Sequence, residues 1–199
     1  RLAEEAKNNT KDTGAEADVA ASTTEAAANL NTRLDGVIFM GDSQVKALED
    51  YAILDPSHIV ADNGDYLAVI DGKLQTAISL NPKVIVLCYG MNDAGWYYED
   101  KFIELYEHAI DTLQAALPDT KIVVSAILNA TPEGIAKRPQ TAIIPSFNTY
   151  IKDMCTRKNI QLIDGSDYLS GQIYVDDGIH RTKDFYRQWC GFVADELGR

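Results

Sequence analysis

The sequence predicts an α/β protein in which helices cover both faces of a mostly parallel β-sheet. From Gly36 onward, strand-like apolar runs alternate with segments of helical periodicity, which is the element order of a parallel sheet. In addition, the runs Lys83–Tyr89 and Lys121–Leu128 are almost continuously apolar and rich in β-branched residues. Such runs are typical of strands that are covered on both faces.

Five strands and five helices are predicted in alternation. The strands are Val37–Met40, Ile59–Ala61, Lys83–Tyr89, Lys121–Leu128 and Ile160–Ile163. The helices are Ser43–Ile53, Tyr66–Leu80, Asp100–Leu117, Thr141–Lys158 and Thr182–Leu197. Asn81 and Pro82 end the second helix, because the residue before a proline avoids helical geometry. The segments Asn129–Pro139 and Asp164–Gly178 are predicted to be mostly loop.

Residues 1–33 differ in composition from the rest of the chain. They contain no aromatic residue and only three larger aliphatic residues, Leu2, Val19 and Leu30. Such a segment buries little apolar surface, so by itself it is a linker or a marginal helix. Two interpretations stay open: a spacer that holds a domain away from a membrane or cell wall, and an expression remnant. We expect the folded domain to occupy residues 34–199.

The beginning of the chain leads to an expectation about location. The sequence starts at Arg1 without an initiator methionine or a signal-peptide pattern. We expect that a targeting segment has been removed. Together with the spacer-like composition of residues 1–33, this favours an extracytoplasmic location, secreted or anchored at the cell surface.

The charge balance argues against two classes of partner. Eighteen basic and thirty acidic residues give a net charge of -12. Nucleic acids and anionic membrane surfaces bind basic faces, so we expect neither as a partner. No apolar run reaches the roughly 20 residues needed to span a bilayer, so we expect no membrane insertion. The oligomeric state is not predicted.

The three cysteines form no metal-binding spacing. Cys88 lies in an apolar strand and is interpreted as a small core residue. Cys155 and Cys190 lie in helix-like segments, and whether they pair as a disulfide stays open.

The pattern changes sharply at Gly41-Asp42-Ser43, where an apolar strand stops and a helix begins. A serine at such a corner lies at the carboxyl edge of the sheet, where open α/β sheets bind ligands. The free N–H groups of a helix start favour an anion there. Two roles are open for Ser43: a nucleophile, or an ordinary helix N-cap.

One of the three histidines stands out as a partner for Ser43. His108 lies in the middle of a helix and His58 precedes a short strand. His180 follows a long loop and lies three residues after Asp177, so the carboxylate is able to orient the imidazole. The alternative is that Asp177 caps the last helix.

Two further strand ends carry residues suited to binding an oxyanion. Asn63-Gly64 follows the second strand, and Gly90-Met91-Asn92-Asp93 follows the third. Asparagine and glycine are also ordinary turn residues. However, the carboxyl ends of parallel strands share one edge, so we expect Ser43, Gly64, Asn92 and His180 to meet there.

These four blocks, taken in order, resemble those of the SGNH (GDSL-type) hydrolases, over residues 36–197. The resemblance implies a flavodoxin-like α/β/α sandwich with three layers and about five parallel strands. It also implies a carboxylic ester hydrolase in which Ser43 is the nucleophile and His180 is the general base, oriented by Asp177. The implied oxyanion hole consists of the Ser43 and Gly64 amides and the Asn92 side chain. No metal or organic cofactor is implied.

The chain departs from the family pattern at two positions. Gln44 stands where the family's name-giving motif has leucine, and Arg181 stands where proline or an apolar residue is common. Neither departure removes a catalytic group. Asp176 is a second acid near the histidine, but the spacing selects Asp177.

Aromatic residues around the asparagine block indicate the class of substrate. Tyr89, Trp96, Tyr97 and Tyr98 cluster there, and they are candidates either for stacking on a sugar or acyl group or for packing in the core. Arg181 is a further candidate substrate contact, and Lys137 and Arg138 are near the same edge. We expect a small ester, such as an O-acetyl group on a carbohydrate. The alternatives are an O-acyltransferase with the same residues and a catalytically silent glycan-binding module.

Overall fold

The computed structural model of the chain describes residues 27–165 and 173–199. A parallel sheet of five strands forms its centre, in the order β2-β1-β3-β4-β5. The strands are β1 Val37–Gly41, β2 Ile59–Ala61, β3 Val84–Cys88, β4 Lys121–Ser125 and β5 Gln161–Ile163. The predicted fold class and the five strands are confirmed.

Helices flank the sheet on both sides. After a helical segment α1 at 27–33, the helices are α2 Ser43–Asp50, α3 Asp71–Leu80, α4 Glu99–Ala116, α5 Pro132–Lys137, α6 Ile144–Lys158 and α7 Lys183–Glu196. Short 3-10 turns occur at Pro56–His58, Leu67–Val69 and Pro139–Ile143.

Alternate residues of each central strand pack into opposite layers, as the period of two of a strand requires. Ile38 and Met40 of β1 contact the core formed with α3, α4 and α6. Val37 and Phe39 contact the core formed with α1, α2 and α7. The architecture is therefore a three-layer α/β/α sandwich.

The register of the sheet places three loops side by side. Gly41, the last residue of β1, pairs with Ala61 of β2 and with Cys88 of β3. The chain then enters α2 on one face of the sheet after β1, and α4 on the other face after β3. This divergence at neighbouring strands is a topological switch point, where open α/β sheets bind ligands.

Two predicted segments differ in detail. The helix predicted over Tyr66–Leu80 is divided into a 3-10 turn and α3. At the start of the turn, the Leu67 amide donates to the buried Asp93 carboxylate at 3.0 Å. The loop predicted over Asn129–Pro139 contains α5. Thr131 caps this helix by accepting from the Gly134 amide, and Pro132 follows it, which is a typical helix start.

Other sequence-based interpretations have different outcomes. Most of the segment 1–33 lies outside the described residues, while Leu30 of α1 is buried in the core. Part of the predicted loop Asp164–Gly178 also lies outside them. Cys88, Cys155 and Cys190 are free thiols. Among the described residues, no helix has the length and apolar character needed to cross a membrane.

Candidate active site

Ser43 is the first residue of α2 and does not cap it. The Asp42 side chain is the N-cap, because it accepts a hydrogen bond from the Gln44 amide at 2.9 Å. The Ser43 hydroxyl is therefore free for another partner. That partner is His180, whose Nε2 lies 3.0 Å from Ser43 Oγ.

Asp177 orients the His180 ring. Its Oδ2 lies 2.5 Å from His180 Nδ1, and its Oδ1 accepts the backbone amides of Ile179 and His180 at 2.8 Å each. Burial alone would raise the pKa of this carboxyl, but the hydrogen bonds from the His180 ring and the two amides outweigh it and lower the pKa to about 2. Because the carboxylate is ionised, Nδ1 is the donor and Nε2 is left to accept from Ser43.

Thr182, not Asp177, caps the last helix. The Thr182 hydroxyl accepts from the Phe185 amide at the start of α7. The Asp177 carboxylate instead accepts hydrogen bonds from His180 in the turn Asp177–His180, called the histidine turn below, so Asp177 is not the N-cap of the last helix.

The turn that carries Asp177 and His180 packs against α5. The Thr131 amide donates to the Gly178 carbonyl at 2.9 Å, and Lys137 Nζ donates to the Asp176 carbonyl at 2.6 Å. Gly178 has a φ of +71°, and a Cβ there would lie 2.8 Å from the Gly134 nitrogen. Both the left-handed backbone and the close approach require glycine.

The two loops predicted to hold an oxyanion are joined to each other. Asn92 Nδ2 donates to the Asp65 carbonyl at 3.1 Å. Gly64 has a φ of +86°, and no atom of the described residues lies within 4 Å of the position a Cβ would take. Within the described part of the chain, the amides of Ser43 and Gly64 donate no hydrogen bond to protein, so both are available to a ligand.

An open cleft of about 250 Å³ lies at Ser43 and His180, and neither Gly64 nor Asn92 is among the described residues that line it. Ser43 and His180 line it with Asn63, the neighbour of Gly64, and with Tyr51 and Tyr186. No group of three or more His, Cys, Asp or Glu side chains within 27–165 and 173–199 is arranged to hold a metal ion.

The model of the GDSL-like lipase/acylhydrolase family matches residues 46–188, which is more than half of the chain. The chain belongs to this family. The ester-hydrolase class expected from the sequence blocks is thereby confirmed at the level of the family. The matched range contains Gly64, Asn92, Asp177 and His180 and starts three residues after Ser43.

Solved structures of similar fold agree with this assignment. A GDSL-like lipase from Bacteroides thetaiotaomicron has a TM-score of 0.66 at 18% identity, covering 81% of this chain and 87% of its own. A carbohydrate esterase family 3 protein from Talaromyces cellulolyticus has a TM-score of 0.63 at 16% identity, covering 81% and 95%. An acetyl xylan esterase has a TM-score of 0.61 at 21% identity, covering 81% and 98%. No curated protein matches the chain significantly in sequence.

Gln44 links the start of α2 to the turn that carries His180 and to the last helix, α7. Its Nε2 donates to the carbonyl of Ile179, the neighbour of His180, at 3.3 Å. Its Oε1 accepts from the Tyr186 hydroxyl of α7 at 2.6 Å. Sequence reasoning treated Gln44 only as a departure from the family motif and did not single out Tyr186.

Of the candidate substrate contacts, Tyr89 is buried and does not line the cleft, whereas Arg181 is buried but lines it beside Ser43 and His180. Tyr89 is 1% exposed and its ring belongs to the core on the α4 side of the sheet. Arg181 is also 1% exposed. Its guanidinium lies 4.2 Å from the Tyr174 ring centroid, and its Nη2 donates to the Asn129 carbonyl at 2.5 Å. Within the described residues, its Nε and Nη1 have no hydrogen-bond partner. Burial lowers the pKa of Arg181.

The other candidate contacts have different environments. Tyr97 packs partly against the core, whereas Trp96 and Tyr98 are among the most exposed large side chains described. His58 is buried and its Nδ1 lies 2.8 Å from the Val37 carbonyl, which is a structural contact. His108 is exposed on α4, 3.4 Å from an Asp71 oxygen.

Sequence reasoning did not identify two buried acids beneath the site. Burial raises the pKa of Asp42 to about 7, against the lowering effect of the Gln44 amide. Burial also raises the pKa of Asp93 to about 6, although the Leu67 amide donates to it. Among the residues that the structure describes, one oxygen of Asp93 has no hydrogen-bond partner. Burial thus holds the pKa of both carboxyls well above the usual range of an aspartate.

Proposed function

We propose that this acylhydrolase cleaves small acyl esters, in particular O-acetyl groups on carbohydrate, through an acyl-serine intermediate. The observation that carries the proposal is the pair of contacts from His180, at 3.0 Å to Ser43 Oγ and at 2.5 Å to Asp177. A hydroxyl, an imidazole and an ionised carboxylate in this order form a nucleophile, its base and the group that orients the base.

The proposed reaction has two steps. Ser43 Oγ attacks the ester carbonyl carbon while its proton moves to His180 Nε2. The carbonyl oxygen becomes an oxyanion, held by the free amides of Ser43 and Gly64 and by the Asn92 side chain. The alcohol then leaves with the proton from His180. Water, deprotonated by the same nitrogen, attacks the acyl-serine and releases the acid and the free Ser43 hydroxyl.

The shape of the cleft supports a small acyl group. Its volume of about 250 Å³ is below the range of roughly 300–1,000 Å³ typical of pockets that enclose drug-sized ligands. Two of the similar structures are named as a carbohydrate esterase and an acetyl xylan esterase. These names support a carbohydrate ester as the substrate class for this chain.

The test is a series of p-nitrophenyl esters of increasing chain length, assayed with the wild type and with Ser43→Ala. We expect the highest kcat/KM on the acetate and loss of turnover in the variant. Turnover of long-chain esters without acetate activity would overturn the substrate class. Turnover that survives in a folded Ser43→Ala protein would overturn the mechanism.

Two further measurements address the alternatives. Products analysed with and without a carbohydrate acceptor distinguish release of free acid from acyl transfer to a sugar hydroxyl. A serine-directed phosphonate should label Ser43. Failure to label, together with measurable glycan binding, would favour a silent binding module.

A further inference from the structure

An exposed aromatic surface lies beside the loops proposed to hold the oxyanion. Trp96 is 73% exposed and Tyr98 is 83% exposed. Both lie in the short connection between the Asn92 block and α4. Large aromatic side chains dominate the energetics of cores and interfaces, and a contiguous exposed apolar patch marks an interaction site or a ligand-binding groove.

Trp96 is held in position by Tyr66. Their rings are stacked, with centroids 6.2 Å apart and planes 12° apart. Tyr66 itself is fixed by its two neighbours, because the Asp65 carbonyl accepts from Asn92 at 3.1 Å and the Leu67 amide donates to Asp93 at 3.0 Å. The aromatic pair is therefore anchored to the same two loops that carry Gly64 and Asn92.

An open groove of about 370 Å³ continues from Trp96. The residues that line it are Gly95, Trp96, Tyr97, Tyr98, Gln140 and Ile143, together with Pro139. The backbone at Gly95 lies against Gln140, since a Cβ at residue 95 would be 2.8 Å from the Gln140 Cβ. An amide side chain and two exposed rings thus border one groove.

The chemistry of this groove fits a neutral sugar. A flat exposed ring offers an apolar face to the C–H face of a pyranose, while the tyrosine hydroxyl and the glutamine amide offer hydrogen bonds to its hydroxyl groups. Glu99 and Asp100 directly follow Tyr98, and the chain carries a net charge of -12. The resulting negative electrostatic potential disfavours the binding of sugars that carry carboxylate or sulfate groups.

We propose that Trp96, with Tyr98 and Gln140, forms a subsite for a neutral sugar ring of the carbohydrate chain whose ester group lies at Ser43. The position of the ester at Ser43 rests on the proposed function, whereas the binding of a sugar ring at Trp96 does not. It extends the substrate from an isolated ester to an oligosaccharide that spans the cleft and the groove.

Binding is measured by calorimetry on Ser43→Ala protein, which leaves the substrate intact, with acetylated xylo-oligosaccharides as the probe. We expect Trp96→Ala in this background to weaken binding about tenfold and Trp96→Tyr to restore part of the loss. Tyr150→Ala is the matched control, because Tyr150 is an exposed aromatic residue on α6 that does not line the groove. This control should bind like the parent.

A kinetic comparison with the active enzyme separates the subsite from the chemistry. In Trp96→Ala, the ratio of kcat/KM on the acetylated oligosaccharide to that on ethyl acetate should fall about tenfold, because ethyl acetate has no ring to stack. Circular dichroism verifies that the variant is folded.

The outcomes distinguish the two proposals. Equal binding by parent and Trp96→Ala, with ester turnover intact, overturns the subsite alone. Absence of ester turnover, with binding that depends on Trp96, overturns the proposed function and leaves the subsite. Tighter Trp96-dependent binding of anionic peptidoglycan fragments than of xylo-oligosaccharides overturns the choice of a neutral sugar.

Discussion

The Gln44 side chain accepts a hydrogen bond from the Tyr186 hydroxyl at 2.6 Å. The same amide donates to the Ile179 carbonyl, so one residue links the start of α2, the histidine turn and the last helix. In the sequence, Gln44 lies more than 130 residues before both of its partners. Because the Gln44 contacts hold α2 against the turn that carries His180, they help to set the distance between Ser43 and His180, and their loss should lower turnover.

Gln44→Leu, which installs the residue of the family motif, tests this link. We expect kcat to fall by about tenfold to a hundredfold, since small misplacements of reacting groups have effects of that size. Stability should fall by about 1–3 kcal/mol, because the Tyr186 hydroxyl loses its partner. Steady-state kinetics and chemical denaturation measure the two effects.

The double variant Gln44→Leu/Tyr186→Phe is the control for stability. It removes the unpaired hydroxyl and should recover part of the lost free energy of unfolding without recovering kcat. A Gln44→Leu enzyme with wild-type kcat would show that the contact serves packing only.

Asn92→Ala tests the proposed oxyanion donor. Removal of one such donor commonly costs about 2.7–4 kcal/mol of transition-state stabilisation, which is a hundredfold to a thousandfold in kcat. KM on p-nitrophenyl acetate should change little. The lost bond to the Asp65 carbonyl also loosens the Gly64 loop, so thermal unfolding should be measured on the same sample. A loss of kcat below threefold would exclude Asn92 from the oxyanion hole.

Asp177→Asn and Asp176→Asn form a matched pair of neighbouring substitutions. In Asp177→Asn an amide faces His180 Nδ1, favours the wrong tautomer and should lower kcat by up to about 10⁴-fold. Asp176 contributes its backbone carbonyl to Lys137, which the substitution retains, so Asp176→Asn should keep wild-type kcat. Equal losses in both variants would contradict the assignment of Asp177.

Asp93→Asn should change how stability depends on pH. The pKa of Asp93 is raised from 3.8 in the unfolded chain to about 6 in the fold, so between these values the folded state binds more protons than the unfolded state. The stability of the wild type therefore falls as the pH rises from about 4 to about 6. Asparagine does not titrate and keeps an acceptor for the Leu67 amide.

The stability of Asp93→Asn relative to wild type should thus increase across that window, by on the order of 3 kcal/mol. The Asp93 charge contributes to the raised pKa of Asp42, so its removal lowers that pKa and the measured difference includes this coupling. Denaturation at pH 4, 5, 6 and 8 provides the measurement. A difference that is constant with pH would show that Asp93 is not buried as an acid.

The parts of the site that sequence analysis predicted are those with a local signal. Asp177 and His180 are three residues apart on one turn, and Ser43 follows directly from a strand end. Their meeting also follows from the sheet, because parallel strands present their carboxyl ends on one edge. By contrast, Gln44 and Tyr186 are 142 residues apart, and no pattern within either helix indicates that they touch.

The sequence also does not predict which side chains at the edge of the sheet are buried. Tyr89 and Trp96 are aromatic neighbours of the same block, yet one is enclosed and the other is exposed. The difference depends on which way the chain turns after β3 towards α4. Likewise, a helix N-cap at Ser43 and one at Asp42 are compatible with the same residues, and only the Gln44 amide distinguishes them.

Because α5 packs against the turn that carries Asp177 and His180, substitutions in α5 and substitutions around the bound ester should have different effects during evolution. Helix α5 holds Asp177 and His180 in place through Thr131 and Lys137, although it supplies neither the nucleophile nor its base. Substitutions in α5 are thus able to change the rate of the reaction, whereas the choice of ester depends on residues outside α5. Relatives that differ only within α5 should share a preference for the ester and differ in rate.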